Sequence, residues 1–248
     1  MNKEINTLLK NFEYIKKMDF IKAINNYSNG GGLTLEYLFG IKANNRCYPD
    51  LNGIELKTIN QYWEKNINLF SDTPISNQKS TVKWITEKYG YISKIYKNKK
   101  IFNGKISTNT LVKIGLNYFF KIRIDKKDKK IYMEIYDNKK NLINCSIYWS
   151  FENLKKKLEK KLSFLALIYL EKKYIKNIQY CKYTKIKFFK LKDFKTFIYL
   201  IEQGIIKISF STSYIKKGKK EGSFHDHGTK FFINEKNIYL LFNEIKKD

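Results

Sequence analysis

Between Pro49 and Lys57 the chain reads Pro-Asp-Leu-Asn-Gly-Ile-Glu-Leu-Lys, with Asp50 at a turn and Glu55 and Lys57 two positions apart beyond it. Gly53 to Ile59 alternates apolar and polar residues, the period of a half-buried strand, so Glu55 and Lys57 share one face. A carboxylate at the turn and another at the strand start converge as oxygen ligands of the kind Mg²⁺ takes. Phosphodiester hydrolysis needs such an ion, to neutralise charge at phosphorus and to orient or deprotonate a water. Lys57 on the same face could hold that water or the scissile phosphate. The pattern alone is weakly specific. Glu159-Lys160-Lys161 and Glu171-Lys172-Lys173 show how readily acid–lysine neighbours arise in this chain, and a solvated strand face with an ordinary Glu/Lys pair accounts for it equally well.

The elements that must carry these residues follow from hydrophobic period and glycine placement. Residues 4 to 27 set Ile5, Leu8, Leu9, Phe12, Ile15 and Met18, then Phe20, Ile21 and Ile24, at helical spacing, which predicts two short helices or one bent one. Gly30-Gly31-Gly32 stops that pattern. Residues 33–39 then read as a fresh helix, closed by Gly40 and carrying Glu36. A polar loop through Asn44, Asn45 and Arg46 leads to Asp50. Leu69-Phe70 reads as the end of a strand and Val82 to Tyr89 as a short helix.

From about Lys105 the period changes to two. Thr110 to Asp125 and Lys129 to Asp137 read as strands joined by a charged turn, with another strand at Ser146 to Ser150. A helix follows through Leu154, Leu158, Leu162, Leu165 and Ile168, with Lys155 to Lys157 and Lys160-Lys161 on its wet sides. Strand-like runs at 183–190 and 205–213, a basic hairpin loop punctuated by Gly218 and Gly222, and a strand at Thr229 to Ile233 complete the chain. No internal repeat is visible, and the order implies an α+β fold with a mixed sheet flanked by helices.

Composition narrows the partner. The 248 residues carry 49 Lys+Arg against 23 Asp+Glu, a formal charge of +26, with 43% apolar and 16% aromatic residues. That is material for a real core, which excludes disordered tails and collagen-like chains. AT-rich codon drift would enrich Lys, but it would enrich Glu as well, so the imbalance of sign stands. A chain this positive implies a polyanion, nucleic acid first and an anionic membrane surface second. The lysine clusters, above all Lys216, Lys217, Lys219 and Lys220, are candidate phosphate contacts, although most such lysines are plain solvated surface. Tyr62, Trp63 and Trp84 read as core or groove wall.

Cys47, Cys145 and Cys181 form no CxxC pair, so neither a disulfide framework nor a zinc ribbon is read, and three reduced, mostly buried thiols are expected. The N-terminus enters an amphipathic segment rather than an apolar one, and Leu162 to Leu170 is too short to cross a bilayer, which points to a cytoplasmic protein with no membrane partner. His225-Asp226-His227 holds the only two histidines. No third ligand with matching spacing stands near it, so a metal site is disfavoured, as is an HNH-type nuclease. A structural turn with hydrogen-bonded imidazoles remains open.

Ile54-Glu55-Leu56-Lys57-Thr58-Ile59 resembles the catalytic strand of MutH-type PD-(D/E)xK nucleases, in which a helix-borne Glu, an Asp and E-x-K make the metal site; Glu36, Asp50, Glu55 and Lys57 match all four positions. Ser146 to Phe151 with the helix after it, and Phe224 to Phe231, resemble segments of the MvaI/BcnI restriction endonucleases. The similarity runs from about Glu4 to Ile233 and is thin between roughly 91 and 140.

It implies a two-lobed MutH-like fold, with residues 1–95 as a catalytic lobe, completed in part by later segments, and 96–248 as a DNA-recognition lobe. It further implies a type II restriction endonuclease that cuts double-stranded DNA with Mg²⁺, or Mn²⁺ in its place, to leave 5′-phosphates. Asp50 and Glu55 would hold metal. The enzyme would be a bacterial cytoplasmic monomer cutting strands in turn, paired functionally with a DNA methyltransferase. The resemblance also implies that His225, Asp226, His227 and Thr229 face DNA. Related enzymes carry guanine-reading arginines around this segment, whereas Lys207 to Thr212 and Lys230 to Ile233 contain none, so the recognition sequence does not carry over. The alternatives are a MutH-like mismatch-repair nickase and a DNA-binding protein that has lost catalysis.

Overall fold

The computed structural model describes residues 2–41, 48–62 and 66–246, so Asn44, Asn45, Arg46, Cys47 and Trp63 lie outside the described residues. In chain order the elements are α1 (Asn2–Lys17), β1 (Ile21–Lys22), α2 (Gly30–Leu38), β2 (Ile54–Asn60), β3 (Asn66–Ser71), α3 (Thr81–Tyr89), β4 (Tyr91–Ile92), β5 (Lys100–Ile101) and β6 (Gly104–Ile106). There follow β7 (Val112–Ile114), β8 (Tyr118–Asp125), β9 (Lys130–Tyr136), β10 (Leu142–Ser150), α4 (Phe151–Leu162), β11 (Phe164–Ile175), β12 (Ile178–Leu191) and α5 (Phe194–Glu202). The chain closes with β13 (Lys207–Phe210), β14 (Thr212–Tyr214), β15 (Phe224–Asp226), β16 (Lys230–Asn234), α6 (Ile238–Leu241) and β17 (Phe242–Ile245).

Two compact units emerge, and no single boundary near residue 95 separates them. Met1–Ile67, Lys157–Asp193 and Asn234–Asp248 form the first; Asn68–Lys156 and Phe194–Ile233 form the second. The first is built on a mixed sheet of order β1-β12-β11-β2, with β17 also paired to β12. β2 runs parallel to β11, in a register that sets Glu55 opposite Leu165 and Lys57 opposite Leu167. On one face α1 buries Ile5, Leu8, Phe12 and Ile15, an amphipathic stripe, against Leu35, Ile54, Leu56, Ala166, Ile168 and Leu170. The second unit holds two four-stranded sheets, β10-β9-β8-β7 and β3-β16-β13-β6. Its core is aromatic, with Phe102 edge-on to Phe120 and Phe210 at centroid distances of 5.0 and 5.3 Å and Trp149 edge-on to Phe231 at 5.7 Å.

Several sequence expectations shift for physical reasons. The helical pattern stops at Lys17, because Asp19 takes a left-handed φ of 52° and Ile21 and Lys22 pair with Cys181 and Tyr180 as a strand. Leu165 and Ile168 belong to β11 rather than to α4. A strand buried on both faces reads as a continuous apolar run, which periodicity cannot tell from a helix. The expected strand 110–125 is two, broken at Gly115 (φ 73°), and the run 205–213 is divided between β13 and β14. Cys181 is buried but Cys145 is exposed.

The glycine run does not stop a helix; it starts one. A Cβ on Gly30 would lie 2.4 Å from the Asn25 carbonyl oxygen and 2.5 Å from Gln179 Oε1, and one on Gly31 would lie 2.8 Å from Leu170 Cδ2. Side chains are excluded here because the first turn of α2 presses flush against its neighbours. Tyr183 locks it by donating to the Gly31 carbonyl (2.7 Å), and Thr34 donates to Gly30 (2.7 Å) while accepting from the Ile24 amide (3.0 Å). The far end closes at Gly40 (φ 70°), where the Ile41 amide reaches the Glu36 carbonyl and the Gly40 amide reaches Tyr37, the Schellman pattern. Glu36 is thereby held between two glycine-defined ends.

Gly30→Ala is expected to destabilise the protein by about 1–3 kcal/mol through overpacking. At Gly32 a Cβ would meet only Thr58 Oγ1, at 3.5 Å, so Gly32→Ala should be neutral or stabilising by up to about 1 kcal/mol. Chemical denaturation of both variants checks the contrast, and equal losses would contradict it.

Candidate functional site

Asn52 and Gly53 take φ values of 41° and 90°, and the Leu51 and Ile54 backbones exchange hydrogen bonds of 3.0 and 2.7 Å. This is the two-residue Asn-Gly reversal favoured by hairpins. It folds Asp50 back beside β2, where its Oδ2 accepts a 2.9 Å hydrogen bond from the Leu56 amide. The turn therefore does the work the spacing implied: it converts four intervening residues into adjacency.

On β2 the side chains of Glu55 and Lys57 share a face, as expected, and Lys57 Nζ donates to Glu55 Oε1 at 2.5 Å. Glu55 is far more buried than a half-buried strand would suggest, with a side chain only 2% exposed against 20% for Lys57. Lys161 of α4 approaches the same Oε1 at 3.4 Å. The other oxygen, Oε2, is buried and has no hydrogen-bond partner among the described residues.

Burial raises the pKa of Glu55 most; Lys57 opposes this, and Asp50 adds to the rise. Glu36 is likewise raised, first by burial and then by Asp50, with Glu55 contributing. Glu36, Asp50, Glu55 and Lys57 thus stand in one electrostatic neighbourhood where burial disfavours the ionised carboxylates more than the local lysines favour them. An added cation would relieve it.

The donor set fits a small hard divalent ion: carboxylate oxygens from Asp50 and Glu55, one of them buried and unpartnered. No group of three or more His, Cys, Asp or Glu side chains is gathered to hold an ion among the described residues. That is compatible with Mg²⁺, which keeps several waters and takes one or two carboxylates plus substrate phosphate rather than a closed protein cage.

Lys161 joins this neighbourhood although the sequence pattern sets it on a wet side of its helix: its side chain is 25% exposed whereas Lys156 is at 73%. The signal was present: Lys161 lies three residues after Leu158 and seven after Leu154, inside the apolar stripe. Tyr48 is exposed, and Lys160 caps its ring at 3.7 Å.

In the second unit, β14 and β15 form a hairpin that sets Ser213 opposite His225 and Thr212 opposite Asp226. Between them runs the basic loop, where Lys216, Lys217, Lys219 and Lys220 are exposed and without ion pairs among the described residues. The His225 and His227 rings meet edge-on at 4.4 Å, and His227 Nε2 shares a 2.8 Å hydrogen bond with Ser213 Oγ. Partial desolvation, then His225 and Lys230, lower the pKa of His227, which keeps it neutral. Asp226 Oδ1 accepts from the Gly228 amide at 2.8 Å. Thr229 is fully buried, and its Oγ1 has no hydrogen-bond partner among the described residues.

Arg123 is committed elsewhere. It donates to Glu134 Oε1 (2.7 Å) and Asp125 Oδ2 (2.9 Å) and lies over the Tyr132 ring at 4.6 Å. Tyr62 is 68% exposed, so it is not core; Trp84 is half-buried, edge-on to Tyr89 at 5.6 Å.

A family model described as the MvaI/BcnI restriction endonuclease family matches residues 9–242. Among solved structures the chain is similar to restriction endonuclease MvaI in complex with its cognate DNA substrate. That match is 28% identical with a TM-score of 0.92 and covers 99% of this chain and 98% of that one. It is also similar to MvaI in the absence of DNA, at 27% identity and a TM-score of 0.61, with the same coverage. No curated protein matches it.

Because the folded pKa of Glu55 is raised, its ionised form costs stability, and that cost appears as pH rises through the folded value. In metal-free buffer at pH 7, Glu55→Gln should unfold at the same temperature as the parent or higher, with the difference vanishing in acid. A marked loss of thermal stability at pH 7 would show that the carboxylate is a structural anchor instead.

Proposed function

The chain belongs to the MvaI/BcnI restriction endonuclease family, and from that premise we propose that it cleaves double-stranded DNA at a specific sequence in a Mg²⁺-dependent reaction. It is a nuclease of the type II restriction class by family. The metal, the residues and the products named below are the reading we put forward. The observation that carries it is Glu55 Oε2, a buried carboxylate oxygen without a partner among the described residues, beside a lysine on the same strand face and an Asp folded back next to them.

Asp50 and Glu55 would hold the ion, Mg²⁺ or Mn²⁺ in its place, which would supply charge compensation at phosphorus and acidification of a water. Lys57 positions that water for attack. Lys161, on the same Oε1, keeps Glu55 compensated when Lys57 turns toward its water. Glu36, fixed by the two ends of α2, orients the site and sharpens its negative potential. The water oxygen forms a bond to phosphorus as the P–O3′ bond breaks; the attacking water gives its proton to solvent and the departing O3′ takes one from solvent, leaving a 5′-phosphate and a 3′-hydroxyl.

Lys216, Lys217, Lys219 and Lys220 contact phosphates, while His225, Asp226 and His227 lie at the bases. His227 is tied to Ser213 and Asp226 to the Gly228 amide, so the exposed His225 is the member best suited to reading base edges. One chain carries one such site. A monomer would therefore cut the two strands in succession, in the bacterial cytoplasm, with a DNA methyltransferase protecting the host sequence.

Plasmid incubated with the protein and Mg²⁺ should be nicked and then linearised at defined sites. Glu55→Ala and Lys57→Ala should each slow cleavage by at least about 10²-fold, the scale of losing one preorganised charge-stabilising group. Mg²⁺ at 100 times its Kd should stabilise the protein by about 2.7 kcal/mol, an effect that Glu55→Gln should remove. Cleavage that survives both alanine substitutions would overturn the assignment.

A further inference from the structure

The basic loop poses a physical problem. Four lysines within the five positions 216–220 repel one another, and such a segment would be expected to splay. Its turns are nonetheless defined. Ile215 and Ser223 are joined at 3.0 Å, the Gly222 amide reaches the Ile215 carbonyl at 2.8 Å, and Gly218 and Gly222 adopt φ values of 89° and 72°.

What holds the loop comes from residues 93–99, the connection between β4 and β5. Tyr96 donates its hydroxyl to the Ile215 carbonyl (2.9 Å), and Lys99 donates its ammonium to the Gly222 carbonyl. The two grips take the two ends of the loop. Lys99 also lies 4.8 Å from the Tyr214 ring centroid and 5.4 Å from that of Tyr96, and Tyr214 in turn stacks edge-on against Phe224 across the hairpin. The bracket itself is closed: the Ser93 amide reaches the Lys99 carbonyl (2.8 Å), the Lys99 amide reaches Tyr96 (2.9 Å), and Ser93 Oγ accepts from the Ile95 and Tyr96 amides.

An ammonium set against the backbone of a loop that carries four others is unfavourable unless something local offsets it. A carbonyl and two aromatic faces do so here. Gly222 permits the approach, since a Cβ there would stand only 3.2 Å from Lys99 Nζ. The charge of Lys99 is thus spent inside the protein, unlike the exposed charges of Lys216 to Lys220.

We infer that Lys99 and Tyr96 are positioning residues for the recognition hairpin: they clamp the basic loop so that its lysines and His225 meet DNA in one arrangement, and they set sequence discrimination without contacting phosphate. This rests on the reading that the loop meets DNA.

Three readouts test it on the full-length protein with duplexes carrying a cleavage site mapped by sequencing, or single-base variants of that site. First, trypsin should cut within Lys216–Lys220 several times faster in Lys99→Met and Tyr96→Phe than in the parent, without DNA present. Second, the dependence of log K on log [salt] should keep its slope in both variants, whereas Lys217→Met and Lys219→Met should each lower it by about 0.9, one phosphate contact. Third, the ratio of cleavage rates at the mapped site over its variants should fall about 3- to 10-fold in Lys99→Met and Tyr96→Phe, a loss of about 0.7–1.4 kcal/mol of discrimination. Tyr96→Phe removes one hydroxyl and keeps the ring, so it guards against a folding defect in Lys99→Met. If Lys99→Met lowers the salt slope while the trypsin rate stays at the parent value, Lys99 is a phosphate contact and this inference is wrong. If Lys217→Met and Lys219→Met leave the slope unchanged, the underlying DNA reading of the loop fails as well.

Discussion

The first unit depends on an unequal division of labour at one buried carboxylate. Glu55 places Oε1 under two ammonium groups, Lys57 at 2.5 Å and Lys161 at 3.4 Å, and leaves Oε2 buried with no partner among the described residues. A fully paired buried carboxylate would be a structural ion pair; a wholly unpaired one would protonate or expel its segment. This intermediate state persists because β2 is fixed in parallel register on β11, and the Leu56 amide ties Asp50 into the same place. The strain falls on electrostatics rather than on backbone, and it is of the sign that a divalent cation relieves.

The positive charge of the chain divides in the same way between spent and unspent. Arg123, one of only two arginines, is consumed by Glu134, Asp125 and the Tyr132 face. Lys57 and Lys161 are consumed by Glu55, and Lys99 by its loop carbonyl. Lys216, Lys217, Lys219 and Lys220 stay unpaired among the described residues. The +26 total therefore overstates the charge left free for a polyanion. With Arg123 removed from readout, the bidentate guanine contacts usual to arginine have no candidate among the described residues.

The four residues of the candidate site were legible because each is announced by a local signal. Asn52-Gly53 announces the turn, alternation announces the face of β2, and Gly40 announces the end of α2. What was not legible depended on partners distant in sequence. Gly30 to Gly32 look like a helix breaker until Gln179, Leu170 and Tyr183 press against them. Leu165 and Ile168 look helical until β11 is seen to be covered on both faces. Lys161 and Lys99 look like surface lysines because sequence shows their charge and not the acceptor each will find. The division into units was likewise hidden, since the first unit recruits residues 157–193 and 234–248 to complete a sheet begun near residue 21.

The central claim is that Asp50 and Glu55 hold the catalytic ion. Anomalous diffraction from crystals of the full chain with duplex DNA and Mn²⁺ tests it most directly. A peak is expected about 2.1 Å from carboxylate oxygens of both residues, the bond length of a small hard cation, with Lys57 alongside. A peak at His225 and His227 instead, or none at the two carboxylates while the DNA in the crystal is cut, would contradict it.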